Sequence, residues 1–236
     1  MSSNSLLYAT PRILYNRHLN LAVIICPKVC CTFMSKWFFF QSGLVSFERN
    51  KDMASVHNYR NKTYYQSDDY AQYLNTLLSG KYNVIKVTRN PFDRAVSSYF
   101  VTHYQNKTFE EFAEFLQRIS VQHVKDGHYK MQTHQLERNK VIIPNFVFDM
   151  KDCNKNIRKI EKEFGLKTSN IKMLQRSSHH SNKTLDTKYC GNLKGIAKRN
   201  HSKYTYFYNE QTEKIIADVY REDFERYGYS IRLDQQ

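Results

Sequence analysis

"VIICPKVCCTFMSKWFFF", Val23 to Phe40, decides how this chain is read. An apolar run stops at Pro27, turns through Lys28 and Thr32, and restarts as an aromatic-rich segment. From Asn20 to Cys26 the run is nearly continuous in Leu21, Ala22, Val23, Ile24 and Ile25, as in a strand whose sheet is covered on both faces. Thr32 to Gln41 then reads as a helix. A strand running straight into a turn and a helix sets backbone N–H groups and the positive end of the helix dipole at the strand's carboxyl edge, where phosphates bind. Lys28 adds a mobile cation and Thr32 a hydroxyl near the helix start. The stretch is not a Walker A loop, because GxxxxGK[ST] requires glycines and "CPKVCCTF" has none. Taken alone, a strand ending in a proline turn with a surface lysine is the simpler reading.

Further along, the same succession returns. "YNVIKVT", Tyr82 to Thr88, reads as a second strand and is followed at once by "RNPFDRAVSSYF". There Asn90 can cap a helix, Pro91 suits its first position and Asp93 lies in its first turn. Arg89 at the strand end and Ser97, eight residues later on the second helical turn, can converge on one anion. The planar fork of arginine suits a phosphate dianion, and the hydroxyl adds a neutral hydrogen bond. Val96, Tyr99 and Phe100 share a face expected to pack on the sheet. Phe109 to Ile119 reads as another helix, and "NFVFDM", Asn145 to Met150, as a third strand, followed by an amphipathic helix through Phe164. Asn209 to Tyr227 is a closing helix with Gly228 as its stop. Strands alternating with helices predict an α/β fold with a central, mainly parallel sheet flanked by helices.

The 236 residues suit one domain, 1–236, with a sizeable core. The formal charge of +14 favours an anionic partner, and Lys167 to Lys203 carries nine Lys or Arg residues against the single acid Asp186. A polyanion- or nucleic-acid-binding protein is therefore one alternative. Against nucleic acid stand the lack of a recognised RNA- or DNA-binding motif and of aromatics interleaved with the basic residues. A P-loop kinase-like enzyme is the other alternative, weakened by the missing Walker glycines and by the lack of an identifiable acidic magnesium ligand. Five cysteines, three of them crowded at Cys26, Cys30 and Cys31, form neither a disulfide framework nor a CxxC metal pattern, and read as reduced thiols. No metal is expected. No apolar run approaches the roughly 18–20 residues of a membrane span, and the start lacks the features of a secretory signal. A cytoplasmic setting is the expectation.

Together these stretches resemble the carbohydrate sulfotransferase family, in the branch that includes the chondroitin and heparan-sulfate 2-O enzymes. That branch carries a "PK(V/A)(A/G)CT" loop, here "PKVCCT", Pro27 to Thr32. Its "RxPFxRxxSxY" motif is here "RNPFDRAVSSY", Arg89 to Tyr99. Its closing "YxxExxxxVxxxYxxDFxxFGY" pattern is similar to "YTYFYNEQTEKIIADVYREDFERYGY", Tyr204 to Tyr229. The resemblance implies a P-loop-NTPase-like three-layer sandwich that binds 3′-phosphoadenosine 5′-phosphosulfate and moves its sulfuryl group to a hydroxyl of a carbohydrate or other glycan acceptor.

By that resemblance Pro27, Lys28, Val29, Cys30, Cys31 and Thr32 form the loop around the 5′-phosphosulfate, with Lys28 stabilising charge on the leaving oxygen. Arg89 and Ser97 grip the 3′-phosphate. Cys30 stands where the family usually has Ala or Gly, and Ser35 and Lys36 follow where it has a lysine closer to the threonine. The branch places a histidine base between the two phosphate motifs, and His57, in "ASVHNYRN", is the sole histidine between Lys28 and Arg89. His128, in "DGHYKMQTHQL", is the rival; its segment resembles a family "HWxPQ" stretch associated with acceptor binding and structure. His134 is a weaker third. Arg176 and Ser177 sit where the family has an "NSS"-like loop approaching the nucleotide, and with Lys194 and Lys198 they could also attract an acidic acceptor.

Overall fold

The apolar run at Leu21 becomes a strand because both of its faces are covered. In a computed structural model, which describes residues 12–44, 53–70, 72, 82–175, 189–194 and 204–233, the main elements in chain order are β1 (Leu14–Asn16), β2 (Leu21–Ile24), α1 (Cys31–Gln41), α2 (Met53–Lys62), β3 (Asn83–Thr88), α3 (Pro91–Tyr99), α4 (Phe109–Arg118), β4 (Phe146–Asp149), α5 (Cys153–Glu163), α6 (Glu210–Val219) and α7 (Arg221–Tyr227). They fall into two units, each discontinuous in sequence. The first comprises Met1–Thr88 and His134–His180, the second Arg89–Thr133 and Ser181–Gln236.

The first unit holds the sheet, in the order β1-β2-β3-β4. β2 pairs parallel with β3 (Leu21 opposite Asn83, Ile24 opposite Lys86) and β3 parallel with β4 (Ile85 opposite Phe146, Thr88 opposite Asp149). β1 adds an antiparallel edge, Leu14 opposite Val23. Side chains alternate between the two faces of a strand. Leu21, Val23, Ile85 and Val87 pack with Met34, Trp37 and Phe38 of α1 and with Ile157 and Ile160 of α5. Ala22, Ile24 and Val84 pack on the other side with Ile13, Tyr15, Tyr70, Leu136 and Ile142. The Trp37 indole N–H donates to buried Glu161 at 3.0 Å, pinning α1 to α5.

In the second unit, local sequence sets the helix starts as expected. The Asn90 side chain accepts from the Phe92 N–H at 2.9 Å, with Pro91 at the first helical position. α4 opens with a full capping box: Thr108 Oγ1 accepts from the Glu111 N–H at 3.0 Å, and a Glu111 carboxylate oxygen accepts from the Thr108 N–H at 2.7 Å. The apolar face of α3, expected against the sheet, instead supplies Phe92, Ala95, Val96 and Tyr99 to a second, aromatic core. Phe109, Phe112, Phe207, Tyr208, Ile215, Ile216 and Phe224 complete that core, and edge-to-face pairs such as Tyr99 with Phe109 fill it. The closing segment is two helices rather than one. Tyr220, at φ −110° and ψ 23°, breaks it, and its buried hydroxyl donates to the Tyr129 carbonyl at 2.8 Å. Gly228, left-handed at φ 70°, ends α7 as the sequence suggested.

Candidate functional site

After Ile24 the chain folds back on itself within a few residues. The Val29 N–H donates to the Cys26 carbonyl at 3.2 Å, and the Met34 N–H reaches the Cys30 carbonyl at 2.9 Å as the first bond of α1. Lys28 at φ 65° and Cys30 at φ 49° are both left-handed. Each such conformation costs a residue with a side chain about 1–2 kcal/mol, so the loop reaches with Lys28 and Cys30 the conformations that phosphate loops usually assign to glycine. Val29 between them is 2% exposed and packs in the core below the sheet, so its side chain anchors the loop. Pro27, Lys28, Cys30, Cys31 and Thr32 are half-buried around it. Cys30 caps α1 without a side-chain hydrogen bond, and no acid lies in the first turn. The positive helix end is therefore left without a countercharge from its own sequence. Beneath the loop, a hydrogen bond with Cys30 and burial hold the Cys153 thiol well above the ordinary thiol range. None of the five cysteines is in a disulfide.

α2 supplies the loop's neighbour. Val56, fully buried, and Tyr59, edge-on to Phe39 with ring centres 5.0 Å apart, dock this helix on α1. Docking turns His57 to the loop, and its Nε2 lies 3.1 Å from Thr32 Oγ1. Arg60, one helical turn on, shares the face and donates from Nη1 to the fully buried Ser35 Oγ at 3.2 Å. Sequence reasoning missed Arg60, although the spacing from His57 carried the signal once a helix was assumed. Ser35 and Lys36 are both fully buried in α1.

In the second unit Arg89 is half-buried where the chain leaves β3, and its guanidinium lies 5.2 Å from the ring centre of Tyr204. Its backbone is clasped by Gln132: Oε1 accepts from the Arg89 N–H at 2.9 Å, and Nε2 donates to the Arg89 carbonyl at 2.7 Å. Ser97 is on the second turn of α3 and 7% exposed. Arg94, the other arginine of that motif, is a buried structural residue. It donates to the Gly127 carbonyl at 3.1 Å and lies over Tyr220. Asp223 of α7, fully buried, accepts from the Gln132 N–H at 2.7 Å, the Thr133 N–H at 2.8 Å and the Thr133 hydroxyl at 2.9 Å. Burial raises its pKa, with Arg94 and these donors acting against it.

The sulfotransferase family model matches residues 11–230. The chain belongs to the sulfotransferase family. Neither a curated protein nor a solved structure matches it. As a sulfotransferase it is a transferase that moves a sulfuryl group, and its four-stranded, mostly parallel sheet with flanking helices is consistent with the fold of that family.

Of the residues singled out in this sulfotransferase, the loop and His57 come together, in the first unit. His128 lies in the second, half-buried, with Nδ1 2.8 Å from Asp126 Oδ1. Burial pushes the Asp126 carboxyl up, but the hydrogen bonds and charge of His128 and the charge of His103 prevail and lower it. His134, 4% exposed, has its ring spent on a cap, Nδ1 accepting from the Leu136 N–H at 3.1 Å. Arg176, Ser177 and Lys198 lie outside the described residues; Lys194 is exposed. Among the described residues no group of three His, Cys, Asp or Glu could hold a metal ion, and no helix is long and apolar enough to cross a membrane.

Proposed function

We propose that this chain transfers the sulfuryl group of 3′-phosphoadenosine 5′-phosphosulfate to a hydroxyl of a carbohydrate acceptor. The observation that supports it most is the loop from Cys26 to Thr32, which ends a strand, opens a helix without an acid, carries Lys28, and has His57 at 3.1 Å from Thr32. That donor set fits a phosphosulfate: backbone N–H groups and a cation for the anion, with a proton acceptor alongside. When bound, the donor supplies an activated sulfuryl group bonded to a phosphate leaving group.

In this reading the first-turn N–H groups of α1 and Thr32 orient the phosphosulfate, and Lys28 offsets charge growing on the leaving oxygen. His57 takes the proton of the attacking hydroxyl, and Arg89 with Ser97 holds the 3′-phosphate. In-line transfer through a loose transition state asks for little beyond such positioning and electrostatics. The charge of +14 supports an acidic glycan as acceptor. Five cysteines outside any disulfide fit a reducing, cytoplasmic setting. The family match runs through both units, which supports reading the chain as one sulfotransferase domain.

Isothermal titration tests the donor reading. Adenosine 3′,5′-bisphosphate is expected to bind at least tenfold more tightly than ADP. Equal affinities, or no binding of the 3′,5′-bisphosphate, would refute it.

A further inference from the structure

Arg89 is the first residue beyond β3 and has left the ladder that holds Thr88. A residue there ordinarily gives its N–H and carbonyl to solvent or to a turn. Here one side chain takes both. Gln132, 2% exposed, receives the Arg89 N–H on Oε1 at 2.9 Å and returns its own N–H to the Arg89 carbonyl at 2.7 Å. The peptide planes on either side of Arg89 are thereby fixed together, as a neighbouring strand would fix them.

The clasp is itself clamped. The backbone N–H of Gln132 donates to Asp223 at 2.7 Å, and Thr133 donates to the same carboxylate twice, at 2.8 and 2.9 Å. Asp223 comes from 91 residues further along the chain, is fully buried, and has the positive charge of Arg94 beside it. The ring of Tyr204 then lies under the Arg89 guanidinium. Burying an amide and a carboxylate beside a largely aromatic core is a poor way to gain stability, since apolar residues of similar volume do as well or better. What the arrangement gains is a fixed backbone origin for one arginine. An arginine that starts from a fixed backbone loses less freedom on gripping an anion, and its fork gains in directional specificity.

From this geometry we infer that Gln132 is the positioning residue for Arg89, setting the preference of this protein for a nucleotide that carries a 3′-phosphate. The inference rests on the donor reading above. Its test compares affinities for adenosine 3′,5′-bisphosphate and for 5′-AMP by titration calorimetry in the wild type, Arg89→Ala and Gln132→Met. The thermal midpoint of each is recorded. The wild type is expected to prefer the 3′,5′-bisphosphate at least tenfold and Arg89→Ala to lose that preference. Gln132→Met should reduce it by about fivefold or more with the 5′-AMP affinity within twofold, and should cause no further reduction when combined with Arg89→Ala. A residue that merely supports the fold would weaken both nucleotides alike or neither. If Gln132→Met does not fold, Gln132→Glu, which removes the donation to the Arg89 carbonyl by changing one group, is measured in its place and should lower the same ratio. Full preference retained in the folded Gln132 variant, with Arg89→Ala lacking it, overturns this inference alone. A wild type that does not prefer the 3′,5′-bisphosphate overturns the donor reading, and the inference with it.

Discussion

His57 carries the heaviest chemical assignment, and replacing it by alanine separates two effects of different size. Its ring touches Thr32 Oγ1 at 3.1 Å, so truncation removes one hydrogen bond from the loop, worth about 0.5–1.5 kcal/mol or roughly two- to tenfold in nucleotide affinity. The loop should otherwise keep its shape. α2 stays docked through Val56 and Tyr59, Arg60 still reaches Ser35, and Val29 still anchors the turn from below. A lost general base costs far more, about 10²–10⁴ in rate, or roughly 2.7–5.5 kcal/mol of barrier. His57→Ala should therefore lower kcat at least a hundredfold while adenosine 3′,5′-bisphosphate binds within tenfold of the wild type. The assay is release of that nucleotide from the sulfuryl donor with the best acceptor of a glycan panel, followed from pH 5 to 9. An imidazole base gives an acidic limb in that range, and the variant should lack it. A drop in kcat of less than tenfold with the limb intact would refute the assignment, and loss of the limb in His128→Ala would move the base to the histidine paired with Asp126.

Three further outcomes follow from the same geometry. Lys28→Ala should lower kcat by about 10²–10³, the usual cost of one electrostatic stabiliser of developing charge, with product affinity changed far less; a raised KM at normal kcat would make Lys28 a binding residue instead. Val29→Ala opens a small cavity under the loop and should cost about 1–2 kcal/mol in a urea titration, with nucleotide affinity falling at the same time; unchanged affinity would mean the left-handed turn holds without its anchor. Trp37→Phe keeps the ring in the core but takes one donor from buried Glu161 and should cost about 1–3 kcal/mol, measured as a shift of the urea midpoint with catalysis per folded molecule unchanged.

Leu21–Ile24 and most of Asn83–Thr88 were legible because burial on both faces leaves an almost unbroken apolar run; Phe146–Asp149, an edge strand with Val147 exposed, also lies inside the stretch read as a strand. β1 was not, since three residues are too few to show a period and its pairing comes from β2. α2 was missed for a different reason. "MASVHNYRNK" is polar on average, and Val56 with Tyr59 suffices to dock it once α1 offers a surface. With α2 unseen, His57 could be picked out through family resemblance alone and Arg60 went unnoticed. Gln132 closes the stretch similar to "HWxPQ" and Asp223 opens the "DF" pair of the closing pattern, but their partners stayed hidden because these contacts span 43 and 91 residues, a separation that no local pattern encodes.

The glycine-free loop shows why a motif search and a physical reading can disagree. A Walker loop takes left-handed backbone at little cost by using glycine, which leaves no side chain at the bend. This chain spends roughly 1–2 kcal/mol at each of Lys28 and Cys30 for the same conformations. Full burial of Val29 between them offsets a comparable amount, about 1.5–3 kcal/mol for a side chain of that kind. What remains is a cation mounted on the bend itself, so that the residue shaping the loop is also the one assigned to the leaving oxygen. A search for glycines rejects such a loop; strand, turn and helix taken together with the second motif at Arg89 to Tyr99 keep it, because the anion is met by N–H groups and a positive charge whichever residue supplies the turn.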